Sequence, residues 1–153
     1  MKKQRSDGLK VILVPVDGSS ASRRAVAQAL AFARKLRAEI VALHVITPFE
    51  LTIYVNPRPA IVTAAEFEKR ATAISDRILS TARKAAAAAR VPCRCRTAWD
   101  TVVADAILAA ARNDRCGLIV MASHGRTGLQ RMLLGSVTQK VLAKSRVPVL
   151  LCR

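Results

Sequence analysis

The sequence has few aromatic residues and no long apolar run, and each shortage argues against a class of protein. Phe, Trp and Tyr make up 3% of the 153 residues, too few for the stacking platform with which proteins bind single-stranded nucleic acid. No stretch approaches the roughly 18 uninterrupted apolar residues of a membrane span. We therefore expect neither a base-stacking platform nor a membrane-spanning helix.

The N-terminal residues lack the features of a secretory leader. Residues 1–9 are mostly basic and polar, without the apolar stretch and small-residue cleavage site of a signal peptide. We predict that they form a flexible basic tail and that the protein is cytoplasmic.

Cysteine is present, but not in a spacing that marks a metal or redox motif. The four cysteines are Cys93, Cys95, Cys116 and Cys152, and none forms a Cys-x-x-Cys pair. The spacing favours neither a zinc site nor a thioredoxin-like motif. Cys93 and Cys95 would share one face of a strand and could chelate a soft metal, but half-buried, reduced thiols are the preferred interpretation. We predict no metal site.

Acidic residues are also scarce. There are 10 Asp plus Glu against 26 Lys plus Arg, a formal net charge of +16. Such a surface attracts polyanions. The basic residues are spread along the chain, so we predict weak, salt-sensitive attraction and no specific nucleic-acid recognition.

What the sequence does contain is an alternation of short apolar runs with segments of helical period. The predicted strands are 11–16, 40–46, 93–98, 118–122 and 147–151, and the helices begin after a serine at 19, 20 or 22, after Thr63, at Val103 and at Ser136. This order predicts a parallel sheet with helices on both faces. The fold class is α/β: a single doubly wound, Rossmann-like domain over residues 1–153, with a five-stranded sheet and a variable loop at 47–62.

The second helix is predicted to be long. Thr63 and Glu66 form a capping-box pattern at its start, and it extends to about Arg90. Phe67, Ala71, Ile74 and Ile78 lie along one face of it.

Polar and glycine residues follow two of the predicted strands. Pro15, Val16 and Asp17 end the first strand; Met121, Ala122, His124, Gly125, Arg126 and Gly128 lie at or beyond the end of the fourth, before Gly135 and Ser136. Ligands of open parallel sheets bind at such strand ends, where the strand order reverses.

This chemistry suits a nucleotide. Glycines allow backbone N–H groups to approach phosphate, and the helix beginning at Gly135-Ser136 presents its positive end. Ser136 and Thr138 are predicted hydroxyl donors, and Asp17 is placed to accept from a ribose hydroxyl. A P-loop is excluded because no lysine follows Gly128 or Gly135, and no G-x-G-x-x-G run exists.

At this point the sequence resembles the universal stress proteins over nearly its whole length. The matching stretches are KVILVPVDGS at 10–19, LHV at 43–45, residues 118–136 and VPVL at 147–150. The nucleotide-binding branch carries G-x2-G-x9-G-[ST], in which Gly125 and Gly135-Ser136 match the second and third positions.

The resemblance implies a set of ligand contacts. Asp17 and the backbone of Val45 would hold the adenosine, with Met121 close to the base, and Gly125, Gly135, Ser136 and Val137 would hold the phosphates. The expected ligand is ATP, AMP or ADP. The resemblance also implies a homodimer through the last strand, residues 147–152, whose apolar edge would otherwise be exposed.

The sequence departs from the family pattern at two places. Ala122 stands at the first motif glycine, which matters if the backbone there needs a positive φ or touches phosphate, but not if the strand is still running. Thr101-Val102-Val103 stands where the family usually has Gly-x-Pro.

Three functions remain open: a nucleotide-binding stress or signalling module, an enzyme such as a slow ATPase or nucleotidyl transferase, and an interaction module with no nucleotide. His124 lacks an evident orienting carboxylate, so we expect it to structure its loop rather than to act as an acid. Arg126 and Arg131 either neutralise phosphate or are solvated. Mg²⁺ can arrive with ATP, coordinated mainly by phosphates and water. We expect binding without catalysis.

Overall fold

The computed structural model describes residues 9–48, 63–124 and 134–153. Along these ranges, strands and helices alternate as the sequence predicts. The elements are β1 (Val11–Pro15), α1 (Ser20–Leu36), β2 (Glu39–Ile46), α2 (Ala64–Ala88), β3 (Cys93–Trp99), α3 (Val103–Asn113), β4 (Leu118–Ala122), α4 (Ser136–Lys144) and β5 (Val149–Cys152).

The five strands form one parallel sheet in the order β3-β2-β1-β4-β5. The chain builds outward from β1 to β3 and then crosses back to place β4 on the other side of β1. The order therefore reverses between β1 and β4, which is the switch point of a doubly wound sheet. The predicted fold class is confirmed.

Two apolar layers bury the sheet. On one face, α1 and α2 pack over alternate strand residues such as Ile12, Val14 and Ile40. On the other face, α3 and α4 cover Leu13 and Ile119. Both faces of β1, β2 and β4 are thus covered, which is why these strands read as continuous apolar runs.

The first two helices begin with side-chain caps. The Ser19 hydroxyl oxygen accepts a hydrogen bond from the Ser22 N–H, 3.1 Å away. Thr63 and Glu66 form the predicted capping box, and these hydrogen bonds to Thr63 lower the pKa of the Glu66 carboxyl. None of the described helices is both long and apolar enough to span a bilayer.

The predicted apolar face of α2 is only partly buried, with Phe67, Ala71 and Ile78 half-buried. The helix buries Ser75, Leu79, Ala82 and Ala86, whereas Ile74 is 50% exposed. The buried face of α2 is therefore rotated from the predicted apolar face and lies further along the helix. There, Ser75 hydrogen-bonds Thr97 of β3 across 2.7 Å. Alanine is small enough to allow this closer approach of helix and sheet.

The last strand begins later than predicted, at Val149 instead of Val147. Pro148 has no N–H to donate, and the Ser145 hydroxyl turns the preceding residues by donating to the Val147 carbonyl across 2.7 Å. The start of the predicted tail, residues 1–8, and most of the variable loop, residues 49–62, lie outside the described residues.

Candidate functional site

The carboxyl end of β1 is held by its neighbour β2. The Val16 N–H donates to the Leu43 carbonyl across 2.8 Å, and the Nδ1 atom of buried His44 lies 2.6 Å from the Val16 carbonyl oxygen. His44 is therefore the hydrogen-bonded core histidine that an apolar strand requires. Both backbone polar groups of Val16, its N–H and its carbonyl, are therefore hydrogen-bonded at the entrance to the site.

A tight turn follows β1. The Asp17 carboxylate accepts from the Ser19 N–H across 2.9 Å, and Gly18 has φ of 82°. A side chain at Gly18 would bring a Cβ to 3.1 Å from the Ile78 side chain. Glycine is required there by both conformation and space, and the turn leaves Asp17 half-buried at the strand end.

The carboxyl end of β4 is tied to the start of α4. The Gly135 N–H donates to the Ser123 carbonyl across 2.8 Å. The Ser123 N–H in turn donates to the Cys152 carbonyl of β5 across 2.9 Å. These bonds bring the amino end of α4 to the tip of β4, beside β1.

The amino end of α4 has no side-chain cap. Gly135 occupies the N-cap position with φ of −68°, and no side chain of the described residues accepts a capping hydrogen bond there. Ser136, the first helical residue, is exposed. A helix start of this kind offers backbone N–H groups and a positive dipole end to an anion.

Gly135 has room for a methyl group. A Cβ built there would lie 3.4 Å from the Ser123 carbonyl oxygen and 3.6 Å from His124 Cα, ordinary contact distances. Its φ is available to any residue. A small residue at this position keeps side-chain atoms away from the first N–H groups of α4, which suits the approach of a phosphate.

The predicted role of Thr138 as a phosphate donor needs correction. Thr138 is buried, and its hydroxyl donates to the Ala122 and Ser123 carbonyls at 3.2 and 3.3 Å. One hydroxyl has one proton, so Thr138 holds α4 against β4 and does not donate to a ligand at the same time.

Ala122 fits its position without strain. It is the last residue of β4, and a strand residue has an extended backbone that alanine adopts freely. The missing motif glycine therefore carries no conformational cost, and only direct contact between phosphate and the Ala122 methyl group could weaken binding.

Three predicted adenosine and phosphate contacts share one face of the sheet. Met121 is buried in the layer under α3 and α4, and Val45 and Val137 pack against that layer. Pro15 ends β1. These residues surround the switch point, but Met121 contributes mainly to the core, with 5% of its surface exposed.

One residue that the sequence did not single out helps to build the β4 end. Ser123 is buried, and its hydroxyl lies 3.0 Å from His124 Nδ1, a pairing consistent with the expected loop-structuring role of His124. Nothing in the sequence distinguishes Ser123 from other serines. Gly125, Arg126, Gly128 and Arg131 lie outside the described residues.

A separate cleft of about 300 Å³ opens between α1 and α2, with Val16, Gly18 and Ile78 in its lining. It lies on the opposite face of the sheet from Val45, Met121 and Val137. Although Val16 is a predicted site residue, the predicted contacts Val45, Met121 and Val137 are not in the lining of this cleft.

Comparison with known proteins identifies the fold's relatives. The profile described as "Universal stress protein family" matches residues 8–153. The chain belongs to the universal stress protein family. The universal stress protein YxiE of Bacillus subtilis is 33% identical over 152 residues, covering 93% of this chain and 97% of YxiE.

Solved structures of the family have the same fold. The hypothetical protein MJ0577 of Methanocaldococcus jannaschii superposes with a TM-score of 0.80 at 27% identity, over 95% of this chain and 96% of that one. A universal stress protein in complex with cAMP superposes with a TM-score of 0.66 at 25% identity, over 95% and 97% of the two chains.

Proposed function

We propose that this universal stress protein binds an adenine nucleotide, with ATP, ADP and AMP as the candidates, at the carboxyl ends of β1 and β4. The observation that carries the proposal is the uncapped start of α4 at Gly135, which lies at the tip of β4. Asp17 lies at the end of the adjacent strand β1, where it would accept from the ribose. The family member in complex with cAMP supports a nucleotide of this class.

Ligand carried through purification tests this proposal directly. We expect mass spectrometry of the supernatant from denatured protein to detect an adenine nucleotide, or calorimetry of the nucleotide-free protein to detect one site per chain. Asp17→Asn, which keeps the size of the side chain and removes its charge, should weaken binding. Neither released nucleotide nor calorimetric binding of ATP, ADP or AMP would contradict the proposal.

Binding without turnover is part of the proposal. His124 pairs with Ser123, and Mg²⁺ would enter with ATP, held mainly by phosphate and water oxygens. Occupancy would then act as a stress or signalling state, read through conformation or through a partner. Sustained phosphate release at saturating ATP that Gly135→Val abolishes would instead indicate an ATPase.

We further propose a cytoplasmic homodimer paired along β5. This strand forms one edge of the sheet, and Val149 and Leu151 are half-buried there. An apolar edge without charge tends to pair, and a two-fold axis would set each β5 antiparallel to its copy. Because the net charge is +16 per chain, added salt should tighten the dimer. Sedimentation should give a dimer for the wild type and a monomer for Val149→Lys.

Polyanion binding, in this proposal, stays non-specific. Affinity for DNA should fall steeply between low and physiological salt because it rests on counterion release. Preference for one DNA sequence over scrambled competitors at physiological salt would overturn this view.

A further inference from the structure

Away from the nucleotide site, two thiols lie side by side on the β3 edge of the sheet. Cys93 and Cys95 are both free and half-buried, and their sulfur atoms are 4.0 Å apart. They occupy alternate positions of the strand and therefore point to the same face, toward α2, where the Cys95 thiol lies 3.6 Å from the Leu79 carbonyl oxygen.

We propose that Cys93 and Cys95 form a two-coordinate site for one soft monovalent cation, Cu(I) or its mimic Ag(I), bridged between the two sulfur atoms. Thiolates are the ligands that Cu(I) selects. Nothing in the nucleotide chemistry uses this pair.

The strand geometry disfavours a disulfide between the same residues. Positions two apart along a strand are separated by about 6.6 Å, whereas the Cβ atoms of a disulfide lie about 3.8 Å apart. Both cysteines are in the ladder, paired with Ile40 and Ala42 of β2. Closing a disulfide would bend the strand and break those pairs, so the sulfur atoms stay near each other without bonding.

The sulfur separation suits a bridging ion. Two metal–sulfur bonds of about 2.3 Å span ~3.8 Å when the angle at the metal is tetrahedral and ~4.6 Å when it is linear. A two-coordinate Cu(I) or Ag(I) ion prefers a near-linear arrangement, so the sulfur atoms would move apart by about 0.6 Å from the observed 4.0 Å. Small side-chain rotations would therefore place one ion in contact with both sulfur atoms while the strand stays paired.

The number of ligands favours a two-coordinate ion. The remaining cysteines and histidines of the chain are Cys116, Cys152, His44 and His124. Cys116 packs on the opposite face of the sheet, and Cys152 is in the opposite edge strand. Among the described residues, no third His, Cys, Asp or Glu joins the pair. Structural zinc usually takes four protein ligands, whereas Cu(I) is satisfied by two.

Charge favours a monovalent ion as well. Binding would release one proton from each thiol to solvent and form two S–metal bonds. Two thiolates and one monovalent cation leave a charge of −1, which the Arg83 guanidinium, already felt at Cys93, would balance.

Titration with Ag(I), in chloride-free buffer at neutral pH with the full chain, tests the site. We expect native mass spectrometry and competition with a silver chelator to find one tightly bound ion per chain. Either Cys93→Ser or Cys95→Ser should weaken it by about 100-fold or more, the gain that two linked ligands supply. Cys116→Ser and Cys152→Ser should leave it unchanged.

A rearranged variant separates geometry from thiol content. Cys95→Ser combined with Thr97→Cys keeps four cysteines but places the two strand thiols about 13 Å apart along β3, too far for one ion. It should bind as weakly as Cys95→Ser, with its fold checked by circular dichroism. Wild-type affinity in this variant or in either single serine variant, or no tight Ag(I) ion on the wild type, would overturn the proposal.

Discussion

Each strand end of the candidate site carries a glycine, and the two glycines differ. Gly18, after β1, has φ of 82°, and a Cβ there would lie 3.1 Å from Ile78. Gly135, before α4, has φ of −68°, and a Cβ there would make no contact shorter than 3.4 Å with the part of the chain that the structure describes. The fold needs a glycine at the first position and tolerates other residues at the second.

The starts of the two helices that follow these glycines, α1 and α4, also differ. The amino end of α1 is closed by the Ser19 side chain, whereas α4 begins at Gly135 with no side-chain cap. A helix start without a cap leaves backbone N–H groups for other partners. The capped start of α1 thus stabilises the fold. The start of α4 lacks this stabilisation, and its backbone N–H groups remain available to an anion.

Gly18→Ala should produce the largest loss of stability. A left-handed φ costs a residue with a Cβ about 1–2 kcal/mol, and the contact with Ile78 adds to this. We expect the free energy of unfolding, measured by urea denaturation, to fall by about 2 kcal/mol.

The Ile78→Ala background separates the two causes. There, Gly18→Ala should cost less, because the contact is gone while the φ penalty remains. A Gly18→Ala protein as stable as the wild type would contradict the assignment of Gly18 to the fold.

Thr138→Val should have the next largest effect. Valine matches the shape of threonine but cannot donate to the Ala122 and Ser123 carbonyls. Loss of a buried hydrogen bond costs about 1 kcal/mol, and more when the acceptors stay unsatisfied. Thr138→Ser, which keeps the hydroxyl, is the control and should recover part of the loss. Equal stability of Thr138→Val and the wild type in urea would show that these bonds do not hold α4.

Gly135→Ser should change stability least. Serine is a good N-cap, and replacing glycine by it gains only a few tenths of a kcal/mol, roughly 0.3. The same hydroxyl would occupy N–H groups that we assign to phosphate, so ATP affinity measured by calorimetry should fall while the unfolding midpoint holds or rises. A large loss of stability would mean that Gly135, like Gly18, is required by the fold.

Much of this architecture is predictable from sequence because the signals are local. The bounds of β4 match the predicted 118–122 and α4 begins at the predicted Ser136, since an apolar run ends in polar residues and a glycine precedes the helix. The alternation of elements also gives the sheet and its switch point, and hence the neighbourhood of Asp17 and Gly135.

The rest depends on packing that no local pattern specifies. In α2, many alanines allow several apolar stripes, and contact with β3 selects the one that contains Leu79 and Ala82. The sequence predicts Thr138 as a ligand donor, because only the folded structure shows the two β4 carbonyls beside its hydroxyl. Likewise, His44 supports Val16 only because β2 pairs with β1.

The most direct test of the account is the affinity of Gly135→Val for ATP, compared with that of Gly135→Ala and the wild type by calorimetry. Valine adds two methyl groups beyond the Cβ at the start of α4, whereas alanine adds only the Cβ itself. We predict that Gly135→Val loses measurable ATP binding, that Gly135→Ala binds more weakly than the wild type, and that all three unfold at similar urea concentrations. A folded Gly135→Val protein that binds ATP as tightly as the wild type would contradict phosphate binding at the start of α4.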